Sequence, residues 1–261
     1  MEAVSDPKTL RRLAREGRWQ SSTAGMCPGY VQANLVILPR EYALDFTIFC
    51  LRNEKACPLL EILEPGDPMV KWLAEGADIR TDLPKYRFFK DGRPMEEPTD
   101  ITAYWRDDLV SFLIGCSYTF EEALLRGGVP VRNYIRRRDP GIYVSNIQCR
   151  TAGIFKGPMV VTVRPVPGHL VSRAVQITSR LPKAHGAPIH VGDGSLIGIP
   201  DLNRVDFGEP PEMEEGDVPV FWACGVTPQV IARNCGIPFM ITHKPGHMFV
   251  TDITLDEMAA F

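Results

Sequence analysis

LVSFLIGCSYTFEEALLRGGVP, residues 109–130, is echoed by DVPVFWACGVTPQVIARNCGIP, residues 217–238. The two stretches align without a gap at a constant offset of 108 residues: Val110 with Val218, Cys116 with Cys224, Thr119 with Thr227, Gly128 with Gly236 and Pro130 with Pro238. Each copy holds an apolar run of strand length, a small residue and a cysteine, a threonine able to cap a helix, about two helical turns and a Gly-(Val/Ile)-Pro stop. Thr119 and Glu122 have capping-box spacing. Pro228 follows Thr227 at the first helical position, where a missing N–H costs nothing. Each cysteine is therefore expected at a strand end, just ahead of a helix N-terminus. Unpaired N–H groups and the helix dipole favour an anion there, and the same field lowers a thiol pKa. The plain alternative is two ordinary strand–turn–helix units; the sharper reading is a duplication that offers two anion-binding elements.

Composition sets the class. The 261 residues are 44% hydrophobic and 23% charged, as in an ordinary globular protein, with enough chain to bury a core. A net charge of −3 gives no basic field for nucleic acid, and no apolar run approaches membrane-spanning length. The seven cysteines are odd in number and lack any CxxC pair, which argues against a disulfide scaffold and a structural zinc site and for a reduced, cytoplasmic setting. The basic start reads as an amphipathic helix capped near Ser5 or Asp6, without the apolar core of a signal peptide. Proline (23) and glycine (22) are spread along the chain, as in a compact body with many turns and long loops.

In order, residues 27–39 read as a turn and a buried strand, and residues 41–53 as a helix with Cys50 inward. LLEILE is a short strand, MVKWLAEGAD a candidate short helix, and Tyr86–Lys90 a strand ending in an Asp91-Gly92 turn. Arg80, Asp82, Lys85 and Arg87 read as a solvated face, as does the run Arg136–Arg137–Arg138, although arginine forks also suit carboxylates. GPMVVTVRPVP is a strand and LVSRAVQITSRL a helix. The segment EPPEMEEGD is an acidic turn, FMITHKPGHMFVTDI two strands around a Pro-Gly turn, and Thr254 caps a final stub of helix. The expected fold is α/β: a mixed-sheet core with helices on both faces (residues 1–130 and 185–261), carrying the duplicated strand–Cys–helix element, plus a smaller α+β subdomain (131–184).

Cys116 and Cys224 are the first chemical candidates, since they share one special location; the remaining cysteines read as small buried hydrophobes. His185 and His190, with Asp193, suit acid–base work. His243 and His247 flank Pro245-Gly246, which forbids a helix, so neither histidine pair matches a helical zinc motif. No metal ligand is assigned; a divalent metal held by loops stays open. No nucleotide-binding or hydrolase signature is present.

GCSYTFEEAL, HGAPIHVGDGSLIGI, VPVFWACGVTPQ and THKPGHMFVTD resemble the signature blocks of the D-glutamate cyclase family. GYVQANLVILP, DIRTDLPKYR, DDLVSFLIGCS and GPMVVTVRP match in the same order, so the resemblance spans nearly the whole chain. Three positions depart from the family pattern: Gly194 replaces a proline after HVGD, Thr162-Val163 a Ser-Met, and DPGIYVS, just before Asn146, a closer match to NVPMYRT. The resemblance implies a two-domain α/β architecture and a dehydrating lyase that cyclises D-glutamate to 5-oxo-D-proline, or runs the reverse.

On this reading the two helix N-termini hold the two carboxylates of the substrate. Ser117, Thr119, Gly225 and Thr227 supply donors, Asn146, His243 and His247 complete the binding set, and His185, His190 and Asp193 move protons. Thioester formation at Cys116 or Cys224 ranks lower, because attack on an unactivated carboxylate is hard. Rival readings are a cofactor-independent two-cysteine racemase or epimerase, a hydratase of another small acid, and a carboxylate-binding module without turnover. The partner expected is a small carboxylate, with no nucleic acid or membrane and a possible homo-oligomer.

Overall fold

The computed structural model describes residues 4–259. In chain order the elements are α1 (Pro7–Arg15), β1 (Tyr30–Pro39), α2 (Arg40–Arg52), β2 (Leu59–Ile62), β3 (Tyr86–Lys90), β4 (Arg93–Pro94), β5 (Leu109–Gly115), α3 (Tyr118–Arg126), α4 (Arg132–Arg136), β6 (Ile142–Gln148), β7 (Pro158–Pro167), α5 (Val171–Ser179), β8 (His190–Val191), β9 (Asp217–Ala223), α6 (Thr227–Cys235), β10 (Phe239–His243), β11 (Phe249–Thr254) and α7 (Leu255–Met258). The larger sheet runs β2-β5-β1-β10-β3-β4, with β11 also on β1; the smaller runs β6-β7-β9-β8. The α/β class is as expected. The ladders among the described residues, however, are antiparallel and not mixed: each paired strand runs against its neighbour.

β1 is the spine of the larger sheet, buried along nine of its ten positions. Its near-continuous apolar run suits a strand covered on both faces. Val36 and Leu38 pack with Phe46, Phe49 and Phe112 on one face, while Ala33, Leu35 and Ile37 meet Leu63, Tyr86 and Phe249 on the other. Local signals act as read at both ends of the chain. The Asp6 carboxylate accepts Thr9 N–H at 2.8 Å to cap α1, and Thr254 with Glu257 forms a capping box on α7.

The duplication extends beyond the two quoted stretches. Ala33 on β1 pairs with Gly115 on β5, and Val161 on β7 pairs with Ala223 on β9. In each half one hydroxyl then pins the helix to the neighbouring strand: Thr119 Oγ1 accepts Gln32 N–H at 3.1 Å, and Thr227 Oγ1 accepts Val160 N–H at 3.1 Å. Measured from the paired residues, the two pins occupy the same positions. The strand after each helix crosses to the other half: β10, after α6, pairs with β1, whereas β6, after α3, pairs with β7. This exchange welds the halves into adjoining sheets.

Several expectations are corrected. MVKWLAEGAD forms turns closed by a Met69–Asp78 bridge and not a helix, since Val70 N–H bonds Ala77 O across the loop. Asp82 is not on a solvated face: it is buried and bonds Arg15 through both oxygens at 2.8 and 2.7 Å. Thr119 and Thr227 do not cap their helices, which begin at or before them; their hydroxyls are spent on the strand pins. Glu122 bonds Arg126 one turn on and closes no capping box. β9, expected in the larger body, stands in the smaller sheet between β7 and β8, because its register on β7 repeats that of β5 on β1.

Candidate active site at two strand–helix elbows

Both cysteines lie where the sequence predicts, in the bend between a strand and a nine-residue helix. Tyr118 N–H points at Cys116 Sγ at 3.5 Å, and the Val226 amide does the same for Cys224. The two elbows meet. Asn34 on β1 donates to Gly115 O at 2.6 Å, just before Cys116. A Cβ on Gly225 would fall 2.0 Å from Asn34 Nδ2, so the second elbow lies flat against that same side chain. A side chain at 225 would have to displace Asn34 from this contact. The thiols are near enough for the charge of Cys224 to raise the pKa of Cys116.

Arg164, on β7, ties the smaller sheet to the first elbow. Its Nε and Nη2 hold Glu121 Oε1 at 2.8 and 2.5 Å, its Nη1 reaches Thr162 Oγ1 at 2.6 Å, and its Nη2 lies 3.4 Å from Ser117 Oγ. Arg164 and Glu121 are 1% and 0% exposed. Asn133, in α4, adds a third bond to Glu121 Oε1 at 2.7 Å. Beside this, Asp139 Oδ1 accepts the hydroxyls of Tyr118 and Ser22, each at 2.6 Å, fastening the segment after α4 to the first elbow.

Electrostatics correct one expectation about the thiols. The helix-start amides and Arg164 favour thiolate, but burial outweighs them. Cys224 is pushed up to about 11, and Cys116 further. Both are therefore protonated thiols at neutral pH, not activated nucleophiles.

His185 joins the junction and is fully enclosed. Its Nδ1 lies 2.6 Å from Lys55 O, an atom that can only accept, which assigns the proton to Nδ1; Nε2 makes no well-formed hydrogen bond, and the Gly115 backbone lies beside the ring. Burial lowers its pKa to about 4. His190 and Asp193 lie elsewhere. His190 pairs with Phe221 on β9, three residues before Cys224 and so about 10 Å away along the strand. Its Nε2 bonds the backbone oxygen of Asp193 at 2.7 Å, and the Asp193 carboxylate caps Ser195 N–H. Asn146 is exposed, packed against Gly198. His243 fills the fork where β1 leaves β10 for β11: Leu35 N–H donates to its Nδ1 at 3.1 Å, and burial lowers its pKa to about 3. His247 Nδ1 bonds Pro245 O at 2.9 Å, with Asp139 nearby. Among the described residues no group of three or more His, Cys, Asp or Glu side chains is arranged to hold a metal ion. None of their helices is long and apolar enough to cross a membrane.

Sequence reasoning passed over Asn34, Arg164, Asp139 and Glu121. Only Glu121 carried a usable signal: in the repeat alignment an ionisable residue stands opposite the amide Gln229.

Two buried strand–helix elbows, a buried ion pair and an enclosed imidazole form an enzyme-like junction, and the comparisons give its class, a lyase. The model of the D-glutamate cyclase family matches residues 110–252. A protein of Thermoanaerobacter sp. (strain X514), named "Putative hydro-lyase", is 54% identical over 254 residues, covering 97% of this chain and 96% of its own. A similarly named protein of Bacillus subtilis (strain 168) is 52% identical, covering 97% and 98%. The chain belongs to the D-glutamate cyclase family. Among solved structures, a nitrogen repressor-like protein from Methanococcus jannaschii covers 99% of both chains at 14% identity and a TM-score of 0.42, too distant to carry an argument.

Proposed function

We propose that the protein is a hydro-lyase for a small amino-dicarboxylate, converting D-glutamate to 5-oxo-D-proline and water or running the reverse. The observation that carries this is the convergence of the two equivalent elbows across Asn34, with Arg164 beside them. Two helix starts at one junction suit a substrate with two carboxylates. One elbow holds the α-carboxylate; the other holds the γ-carboxylate and stabilises the oxyanion formed when the amine attacks it. Holding both ends folds the substrate toward a ring, and such positioning contributes several kcal/mol to the rate, on the order of 10²-fold or more. Nε2 of His185 is the acceptor for a proton from the attacking amine. His190 and Asn146, on the edge strands β8 and β6 of the smaller sheet, and Asp193, just after β8, lie outside this core set and serve at most the approach of substrate.

A two-thiol racemase needs a thiolate at neutral pH, and the burial of both thiols weighs against it. The setting we propose is the cytoplasm, in keeping with seven free cysteines. The deciding experiment measures 5-oxoproline formation and hydrolysis with both glutamate enantiomers, with and without added divalent metals. Turnover of the D-forms is expected. Folded protein that turns over neither enantiomer in any of these conditions would sink the cyclase reading, and solvent deuterium entering the α-position without ring closure would replace it with racemisation.

A further inference from the structure

We propose that the segment from Val131 to Ile142 is a strap that is closed over the junction in this structure and swings out to admit substrate. The inference rests on the reading of the junction as the active site and adds how a substrate reaches it. Cys116, Ser117, His185, Cys224 and Thr227 are each at most 6% exposed, so a molecule from solution meets none of them without movement. The cleft under the segment, lined by Asn133, Asp139, Gly141, Val163 and Glu209, holds only about 30 Å³. That is room for a water molecule and not for a five-carbon dicarboxylate.

The segment reaches both elbows. On the first, Asn133 donates to Glu121 Oε1 at 2.7 Å, and Asp139 Oδ1 accepts the Tyr118 hydroxyl at 2.6 Å. On the second, Ile142 packs with Cys224 and Val226. Its two ends are anchored: Val131 lies in the cluster of Phe120 and Leu124, and Ile142 begins β6 on β7. Between the anchors the hold is weaker. α4 has no buried residue, Ile135 is 64% exposed, and Tyr134 is only partly buried against the Phe120 cluster. The remaining bonds are polar. Asp139 accepts Ser22 as well as Tyr118, Arg132 bonds Asp217 and Glu214, and Arg136 and Arg138 pair with Glu212. Arg137 is left-handed at φ 53°, a strain that favours release. A segment held by partly solvated polar bonds opens at a lower free energy than the sheets beneath it. Closure excludes water from the junction and so strengthens the helix-start fields that act on a carboxylate.

Native-state thiol labelling tests this, because the cysteines provide both probe and control. Cys116 and Cys224 lie under the strap, whereas Cys50 and Cys57 are buried with Phe46 and Phe49 in the core of the larger sheet. With iodoacetamide at about pH 8.5 over hours, the elbow thiols are expected to label at least about tenfold faster than Cys50 and Cys57. Their rates should barely respond to low urea, as for a local opening, while the core thiols wait for global unfolding and accelerate with urea. Asp139→Ala removes the acceptor shared by Tyr118 and Ser22. It is expected to speed elbow labelling by about 10–100-fold, with Asp139→Asn in between. Amide hydrogen exchange of residues 131–140 needs no variant and is expected to run faster than that of β1, again with little urea dependence.

Elbow thiols that label in step with Cys50 and Cys57 overturn the proposal. So does exchange of residues 131–140 as slow as that of β1, or unchanged elbow labelling in a folded Asp139→Ala variant. A wild type that opens in this way but turns over neither D-glutamate nor 5-oxo-D-proline defeats the cyclase reading and leaves the strap standing. Turnover with elbow thiols that follow only global unfolding does the reverse.

Discussion

Single atoms decide much at this junction. The Thr119 and Thr227 hydroxyls each satisfy a strand N–H that is otherwise buried without a partner. Replacing either by valine keeps the shape and removes the acceptor, so each variant is expected to lose about 1–3 kcal/mol in urea unfolding. A loss below ~0.5 kcal/mol at both sites would mean that the pins are incidental. The two elbow glycines differ in a way that only the surroundings reveal. A Cβ at Gly115 falls 1.7 Å from Lys183 O, which is backbone, whereas at Gly225 it meets the side chain of Asn34. Gly115→Ala is therefore expected to be the more damaging, by ~3 kcal/mol or more, because main chain has to move. Thiol chemistry is also settled by burial. Iodoacetamide at pH 7, followed by mass mapping, should label the half-buried Cys235 first and leave Cys116 and Cys224 intact. Fast labelling of either elbow cysteine would show that an activated thiolate exists.

At the scale of elements, the segment around α4 is clasped by the acidic stretch before β9. Arg132 bonds Asp217 at 2.7 Å and Glu214 at 2.7 Å, with its side chain and that of Asp217 largely buried. Arg136 pairs with Glu212, and Arg138 lies 3.3 Å from the same carboxylate, both arginines half exposed. The solvated reading of this run holds for Arg136 and Arg138. Arg132→Ala is expected to cost about 1–3 kcal/mol by stranding Asp217, whereas Arg136→Ala and Arg138→Ala should each stay within ~0.5 kcal/mol. Thermal unfolding in low and high salt separates them: equal losses for all three would mean that the clasp acts as one surface network. Through Asn133 and Asp139 this segment also touches Glu121 and Tyr118, so its order is coupled to that of the first elbow.

The whole molecule carries a pH dependence of predictable sign. His185 and His243 are held near 4 and 3, below the ordinary 6.5, because burial disfavours their cations. Between those values and 6.5 the unfolded chain binds more protons than the folded one. Their contribution to stability is thus complete above pH 6.5 and is lost as pH falls toward the folded-state values, by up to ~1.4 kcal/mol per pH unit for each histidine. Glu121 works in the opposite sense: its raised pKa contributes stability below the ordinary carboxylate range that disappears as pH rises through the folded-state value. Tm measured from pH 7 to 4 should fall, and His243→Gln should flatten the slope. An equal slope in that variant would place the acid sensitivity elsewhere.

The sequence by itself determined most of the strands and helices, the repeated pattern and the family, but not β4, β6 or β8, which lack a strong local apolar pattern of their own. β1, β7 and the elbows are written in local patterns, namely apolar runs, glycine-proline stops and cap residues, that act within about ten residues. It also put Cys116, Ser117, Cys224, Gly225 and His185 among the candidates. Only the tertiary structure decided how these residues are used. Thr119 looks like a cap until Gln32 N–H arrives from a strand 87 positions away. His185, His190 and Asp193 look like one cluster until the chain separates them, since a histidine's partner is set by which backbone oxygen packs beside it. Glu121 and Arg164 are ordinary charges in the sequence. They become a buried pair with one unpaired oxygen because the smaller sheet closes over the first elbow, and desolvation is a property of the assembled fold and not of either residue.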